Sequence, residues 1–443
     1  MKGKTGLKRH AKPIACGLGL LFVLGCSEPD FILPGERYEL RGNEPLSHDR
    51  VENVVAAHDP GAAVSAADWT HINGTPSHVI AHPALDSSLS LQWSQSIGQG
   101  NGKRHRITAT PVLANGVLYT LDSRSTVTAI STSGATLWSR NLTPAADAPD
   151  DASGGGISVS GGLVFVTTAF GELTVLNTDS GAVVWTQDFE SAATAAPTVL
   201  GDTVYAVTQN EMGWALDVGS GQILWQVLGA SSSTGLTGGS APAVSGDQVI
   251  FPFSSGQMVA ADRSSGGVRW SASVAGERIG RAFSRISDLT GDPIVSGGVV
   301  YAGNHAGSVA AFDEQTGLAL WTSNFGAAGS IWLSGNSVFL VSDENQLVRL
   351  DASTGQPVWA VELPFFTREK FSRRKTAFAH YGPVLAGGRL FVPSDEGFMR
   401  IFDPESGAGL GTVSLPSGAA SNPIVAGGAL YIVTENGQLH AFR

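Results

Sequence analysis

Residues 297–321 read GGVVYAGNHAGSVAAFDEQTGLALW. An apolar run from Val299 is followed by a polar, Gly-containing turn and a second apolar run that ends at Asp313. That pattern predicts a β-hairpin. Asp313 then opens a turn in which its side chain can accept backbone N–H bonds, while Gly317 supplies a positive φ. A third run begins at once and reaches Trp321, four residues after the glycine.

The same unit recurs along the chain, and such repetition implies a repeat architecture. Hairpins are predicted at 115–130, 161–177, 201–217, 246–262, 297–313, 335–351, 387–403 and 427–442. A short run such as DPIVS or NPIVA precedes each. Gly stands four residues before Trp in Gly134/Trp138, Gly181/Trp185, Gly221/Trp225, Gly266/Trp270, Gly317/Trp321 and Gly355/Trp359. A seventh copy has Gly407, but Gly411 occupies the Trp position. Each unit therefore holds four strands, except that the eighth hairpin stops at Arg443 with no fourth. A spare strand, LSLQWSQSI at 89–97, carries Trp93. Added to the last hairpin, it completes a ring with only short edges. The fold class expected is all-β: an eight-bladed β-propeller of four-stranded antiparallel blades, closed by an N-terminal strand, over residues 69–443.

Trp93, Trp138, Trp185, Trp225, Trp270, Trp321 and Trp359 recur too regularly for a ligand platform, which requires asymmetry. They are expected to be buried between twisted blades, with each indole N–H on a backbone carbonyl.

Residues 1–25 form a basic stretch and a short apolar run, a signal peptide rather than a membrane span. The run ends in Val23-Leu24-Gly25-Cys26, which resembles a bacterial lipobox with Cys26 as the lipidated residue. Ser27 then implies outer-membrane delivery on the periplasmic side. Removing the leader takes away five of the 27 basic residues and no acidic one, moving the formal charge from −11 to −16. Such a chain lacks the positive surface of a nucleic-acid binder. Cys16 lies in the leader, so no thiol remains for a disulfide, a thiolate metal site or a nucleophile. Residues 26–68 lack periodicity and read as a flexible tether, with one short helix near Asp49–Ala57.

The repeat resembles the pyrroloquinoline-quinone-type propeller repeat of quinoprotein dehydrogenases and their non-enzymatic relatives. The resemblance implies a quinone held by adjacent cysteines and a calcium site. The propeller here has no cysteine and no evident acidic calcium cluster, so neither cofactor nor metal is expected. Lipobox, tether and propeller together resemble the BamB lipoprotein family of the outer-membrane β-barrel assembly machinery. The likeness is sharpest in SRISDLTGDPIV (284–295) and TGLTGGSAP (234–242). In that family these connections bind a periplasmic POTRA domain of the barrel subunit, BamA. The resemblance thereby implies partner contacts at Leu236, Thr237, Arg285, Ser287 and Asp288. Thr237 replaces the family's Arg and Thr290 its second Asp.

A basic, aromatic segment at 364–376 includes Phe371, Arg373 and Arg374, a composition suited to a further partner contact. Arg278, Arg281 and Arg285 form a second cluster. The Gly-rich GQGNG at 98–102 reads as a flexible loop. No HExxH, GxSxG or phosphate loop is present. The expected function is a non-catalytic scaffold aiding nascent outer-membrane proteins. The alternative is an enzyme or ligand binder using the central channel. An envelope-polysaccharide binder would require exposed Trp on one face.

Overall fold

The computed structural model describes residues 51–232, 238–274, 276, 287–368, 370 and 373–443. Eight separate four-stranded antiparallel sheets form the blades. Blades 1 to 7 are continuous in sequence: 112–141, 155–188, 198–228, 243–273, 289–323, 332–362 and 384–414. Blade 8 takes three strands from 424–442 and its outermost strand from Leu91–Ser96. Gln95 lies opposite Leu439 and Trp93 opposite Ala441, so the two ends of the ring are joined by strand pairing. No described helix is long and apolar enough to cross a membrane.

Within each blade the inner strands are largely buried and the outermost strand is far more exposed; Val309–Asp313 against Ala319–Ser323 is one example. Every outermost strand shifts register immediately before the Trp position. Ala311 faces Trp321 but Phe312 faces Ala319, and the same slip recurs in all eight blades. A bulge of this kind re-aims the next side chain. Here it turns each indole toward the following blade.

There the indole meets the Asp–Gly turn. The Nε1 of Trp93, Trp138, Trp185, Trp225, Trp270, Trp321 and Trp359 donates to Thr132, Thr178, Val218, Arg263, Glu314, Ala352 and Pro404 O, at 2.7–3.2 Å. Each acceptor lies in the turn of the next blade. The ring also packs flat on that turn's glycine. A Cβ placed on Gly317 (φ +70°) would lie 2.6 Å from Trp270 Cε3, and every other glycine of the series is similarly covered. Only Trp270 and Trp359 are buried; the other five are partly exposed at the rim, where the outermost strands face solvent. Gly411 now has a physical reason. The blade after it, blade 8, draws its outermost strand from Leu91–Ser96 rather than from a turn following its third strand, so no Asp–Gly turn stands there for a Trp to cap.

The described part of the presumed tether departs from expectation. Residues 51–57 hold no helix. Val54 N–H donates to Val358 O, and the Asn53 side chain exchanges hydrogen bonds with Ala360 N and O along the edge of blade 6. Arg349, buried in blade 6, donates to Ala56 O at 2.6 Å and Ala57 O at 2.9 Å. The chain then crosses the face that carries the Asp–Gly turns and plugs the channel. Between Ala66 and Pro83 it bonds to all eight blades. Trp69 pairs with Leu113, Thr70 O accepts from Val159, Pro76 O from Val244, Ser77 O from Val295, Pro83 O from Gly387 and Ala66 O from Gly427. His71 Nε2 accepts from Val199 N–H at 3.1 Å, and Asn73 donates to Ile331 O at 2.9 Å. GQGNG is likewise packed rather than loose: Gln99 N–H donates to Asp122 and Asn101 N–H to Glu435 O.

Candidate functional site

The opposite face carries the connectors between blades. With the plug as its floor at Ile72, the channel opens there as a funnel of about 480 Å³. Its wall is built from residues at or just ahead of the start of the innermost strands, including Thr108, Gly239, Asp292, Ser330, His380 and Asn422.

Asp292 organises this wall. Its carboxylate accepts from Ala241 N–H at 2.8 Å and from the Ser330 hydroxyl at 2.5 Å, tying three successive connectors together. Asn422 continues the belt by donating to Ser330 and accepting from Gly382 N–H. Ser240 adds a second link, donating from its hydroxyl to Leu289 O at 2.6 Å. The described parts of the two diagnostic segments, 238–242 and 287–295, are therefore bonded directly to each other. The repeat pattern alone does not single out Asp292; its signal is the Asp-Pro pair near the start of an inner strand, where the side chain can reach a neighbouring connector.

The individual residues fare unequally. Ser287 is half-buried, and its hydroxyl donates to Ser254 O at 3.3 Å. Asp288 is only 5% exposed and lines a small cleft with Ser240, Phe253 and Ser254. It does not present a free carboxylate to a partner. Its charge also helps to raise the Glu211 carboxyl above the usual range. Burial is the main cause of that shift, opposed by the Ser254 N–H bond. Arg373 and Arg374 are exposed, and the Arg374 guanidinium lies 5.1 Å from the Phe366 ring. Cys26, Leu236, Thr237, Arg285 and Phe371 lie outside the described residues.

The donor set does not suit a quinone with its cation. Both cysteines lie outside the propeller, at 16 and 26. Among the described residues no three His, Cys, Asp or Glu side chains converge as metal ligands. Asp292 is already engaged by two protein donors, and the plug fills the lower channel.

An eight-bladed ring closed by its own N-terminal strand, with linked connectors on one face, defines a propeller of the quinone-repeat class. The chain belongs to the family described as outer membrane protein assembly factor BamB, whose model matches residues 123–361 and 367–443. It is 23% identical over 398 residues to the assembly factor BamB of Shewanella oneidensis, covering 88% of this chain and 97% of that one. Against BamB of Escherichia coli K12 it is 27% identical over 355 residues, 79% of this chain and 87% of that one. Among solved structures, BamB from Moraxella catarrhalis superposes with a TM-score of 0.66 at 20% identity, over 80% of this chain and 100% of the other. A quinohemoprotein alcohol dehydrogenase from Comamonas testosteroni gives the same TM-score at 15% identity, over 86% of this chain and 81% of the other, a likeness of fold alone.

Proposed function

We propose that the protein is a non-catalytic lipoprotein of the outer-membrane protein assembly machinery, anchored through Cys26 on the periplasmic side. Its connector face docks on a POTRA domain of a BamA-like subunit and holds it in position for nascent outer-membrane proteins. The observation that carries this reading is the bonded pair of connectors, 238–242 with 287–295, in a chain of the BamB family. A preformed, cross-linked connector surface loses little entropy on binding a partner.

The test is recovery of the barrel subunit with the tagged lipoprotein from detergent-solubilised membranes. Leu236→Asp and Ser287→Arg are expected to abolish recovery while leaving the fold intact. Asp288→Arg is a poor probe, since a buried position reports folding first. Unchanged recovery with both substitutions would remove these connectors from the contact, and no recovery with the wild type would refute the function.

A further inference from the structure

Two cavities lie back to back across the plug. The funnel on the connector face has Ile72 as its floor. Beneath it, on the face that carries the Asp–Gly turns, a second cavity of about 430 Å³ is lined by Thr70, His71 and Pro76 of the plug and by residues of blades 1 to 3, among them Tyr119, Gly162, Asp179 and Gly201. The adjacent residues His71 and Ile72 therefore belong to opposite cavities, and residues 70–78 are the partition between them. This stretch is wound on itself. Gly74 N–H donates to His71 O at 2.9 Å, His78 N–H to Thr75 O at 3.0 Å, and the Thr75 hydroxyl to Val79 O at 2.7 Å. It can leave the channel as a unit, because none of these internal bonds has to break.

Two buried histidines hold the partition, and each is seated with one ring nitrogen unprotonated. His71 Nε2 accepts from Val199 N–H at 3.1 Å, so the ring's one proton sits on Nδ1, 2.8 Å from the Thr70 hydroxyl. His78 donates from Nδ1 to Pro293 O at 2.7 Å, and its Nε2 has no hydrogen-bond partner among the described residues. An imidazolium offers no lone pair. A proton on His71 Nε2 would set one N–H against another at Val199, and a proton on His78 Nε2 would add a buried donor without an acceptor. The ionisable groups facing the pair are the two rings themselves, Asp292 of blade 5 against His78, and Asp68, Tyr119 and Asp179 around the cavity beside His71. Asp292 is already engaged by Ala241 N–H and the Ser330 hydroxyl. Burial outweighs its attraction and holds His78 below the usual imidazole range; burial, with His78 adding to it, brings His71 down to about 3.

We propose that residues 70–78 are an acid-operated gate: seated, they keep the two cavities apart, and a proton on His71 Nε2 unseats them and joins the cavities into one passage through the ring. Unseating bares a defined set of backbone groups. Val159, Val199, Val244 and Val295 N–H, on the innermost strands of blades 2 to 5, all end on this stretch. The gate depends on neither the lipid anchor nor the partner contact.

The test is hydrogen exchange of the purified full chain, read by mass spectrometry at 156–160 and 198–200, with Gln257–Asp262 inside blade 4 as the control. The intrinsic pH dependence of amide exchange is divided out. Protection at the first two segments is expected to fall roughly 25-fold between pH 7 and pH 5, the ratio set by a ring that titrates near 3 when seated and at its ordinary value when released. The control should hold. In His71→Gln, whose side-chain carbonyl can accept from Val199 but takes up no proton, the fall should vanish. His78→Gln spares the Val199 bond and should keep a fall of at least about tenfold. Unchanged protection in the wild type, a control that falls in step, or a wild-type fall in His71→Gln would each overturn the gate. A His78→Gln chain that no longer responds to pH would overturn the assignment to His71. Protection already low at pH 7 in His71→Gln would mean that Gln does not seat, and the wild type and His78→Gln then decide between them.

Discussion

Replacing Gly317 by alanine separates the two demands that the repeated turn places on one residue. The backbone at Gly317 has φ +70°, which alone costs a non-glycine residue about 1–2 kcal/mol. The new Cβ would also meet the Trp270 ring at 2.6 Å, inside any tolerable contact. Over-packing of this sort typically adds about 1–3 kcal/mol. Gly297 is the matched control: its φ is +61° and nothing lies within 4 Å of the position of a Cβ. Both changes restrict the unfolded chain equally, so that contribution cancels. Gly317→Ala is therefore expected to destabilise the protein by about 2 kcal/mol more than Gly297→Ala, a factor of roughly 30 in the folding equilibrium. Repeating both changes in a Trp270→Ala background should erase the difference, because the obstructing ring is gone. The assay is equilibrium denaturation followed by far-ultraviolet circular dichroism, comparing midpoints at constant slope. If Gly317→Ala costs the same with and without the indole, the glycine is present for backbone conformation alone and the proposed ring-on-turn packing is wrong.

Acid should loosen the plug. Burial pushes the His71 imidazole down to about 3, with neighbouring His78 adding to the effect, and burial beside Arg349 brings His58 down to about 4. His58 also faces Glu405, Asp59 and His82, and His78 faces Asp292. Both rings are neutral when docked, so their contribution is complete above pH 6.5 and is lost as pH falls toward 3–4, by about 2 kcal/mol at pH 5 for His71. Once the intrinsic pH dependence of amide exchange is divided out, protection at residues 66–83 should fall between pH 7 and 5, and His71→Gln should flatten that dependence. Arg349→Ala removes a buried guanidinium bonded to Ala56 O, Ala57 O, Pro404 O and Ser337 Oγ; protease cleavage within 51–62 should increase at least tenfold while far-ultraviolet spectra stay unchanged. Asp292→Ala leaves Ala241 N–H and the Ser330 hydroxyl without their acceptor and should cost about 2–4 kcal/mol in denaturation, whereas Asp292→Asn should cost about half of that.

The ring was readable because its signals are local. Asp313, Gly317 and Trp321 fall within nine residues, and repetition made even the missing fourth strand of blade 8 a datum rather than a gap. The purpose of the glycine was less accessible. Turn chemistry explains a positive φ, but the covering indole comes from the preceding blade, 47 residues earlier in the case of Trp270 and Gly317. The plug was unreadable for a stronger form of the same reason. Trp69, Pro76 and Pro83 bond through the backbone and His71 and Asn73 through side chains, each on a different blade, so residues 58–85 show no period and resemble a tether. Asp288 was illegible in another way. Family likeness pointed to the position, but only the structure revealed that its carboxylate is buried rather than presented.

The same segment changes what closure of the ring means. A propeller joined only at its rim depends on one pairing, here Leu91–Ser96 with Gln438–Phe442. In this chain the preceding residues also bond to the innermost strand or adjoining turn of every blade. Separating blade 8 from blade 1 would pull Ala66 from Gly427 or Trp69 from Leu113, three residues apart on one taut stretch. Rim and hub therefore oppose the same opening motion. The hub also blocks one mouth of the channel, so anything that enters must do so from the connector face, which the Asp292 belt holds in shape. The proposed scaffold role would draw on that combination: a ring that resists splaying, and a single face whose connectors are set before a partner arrives.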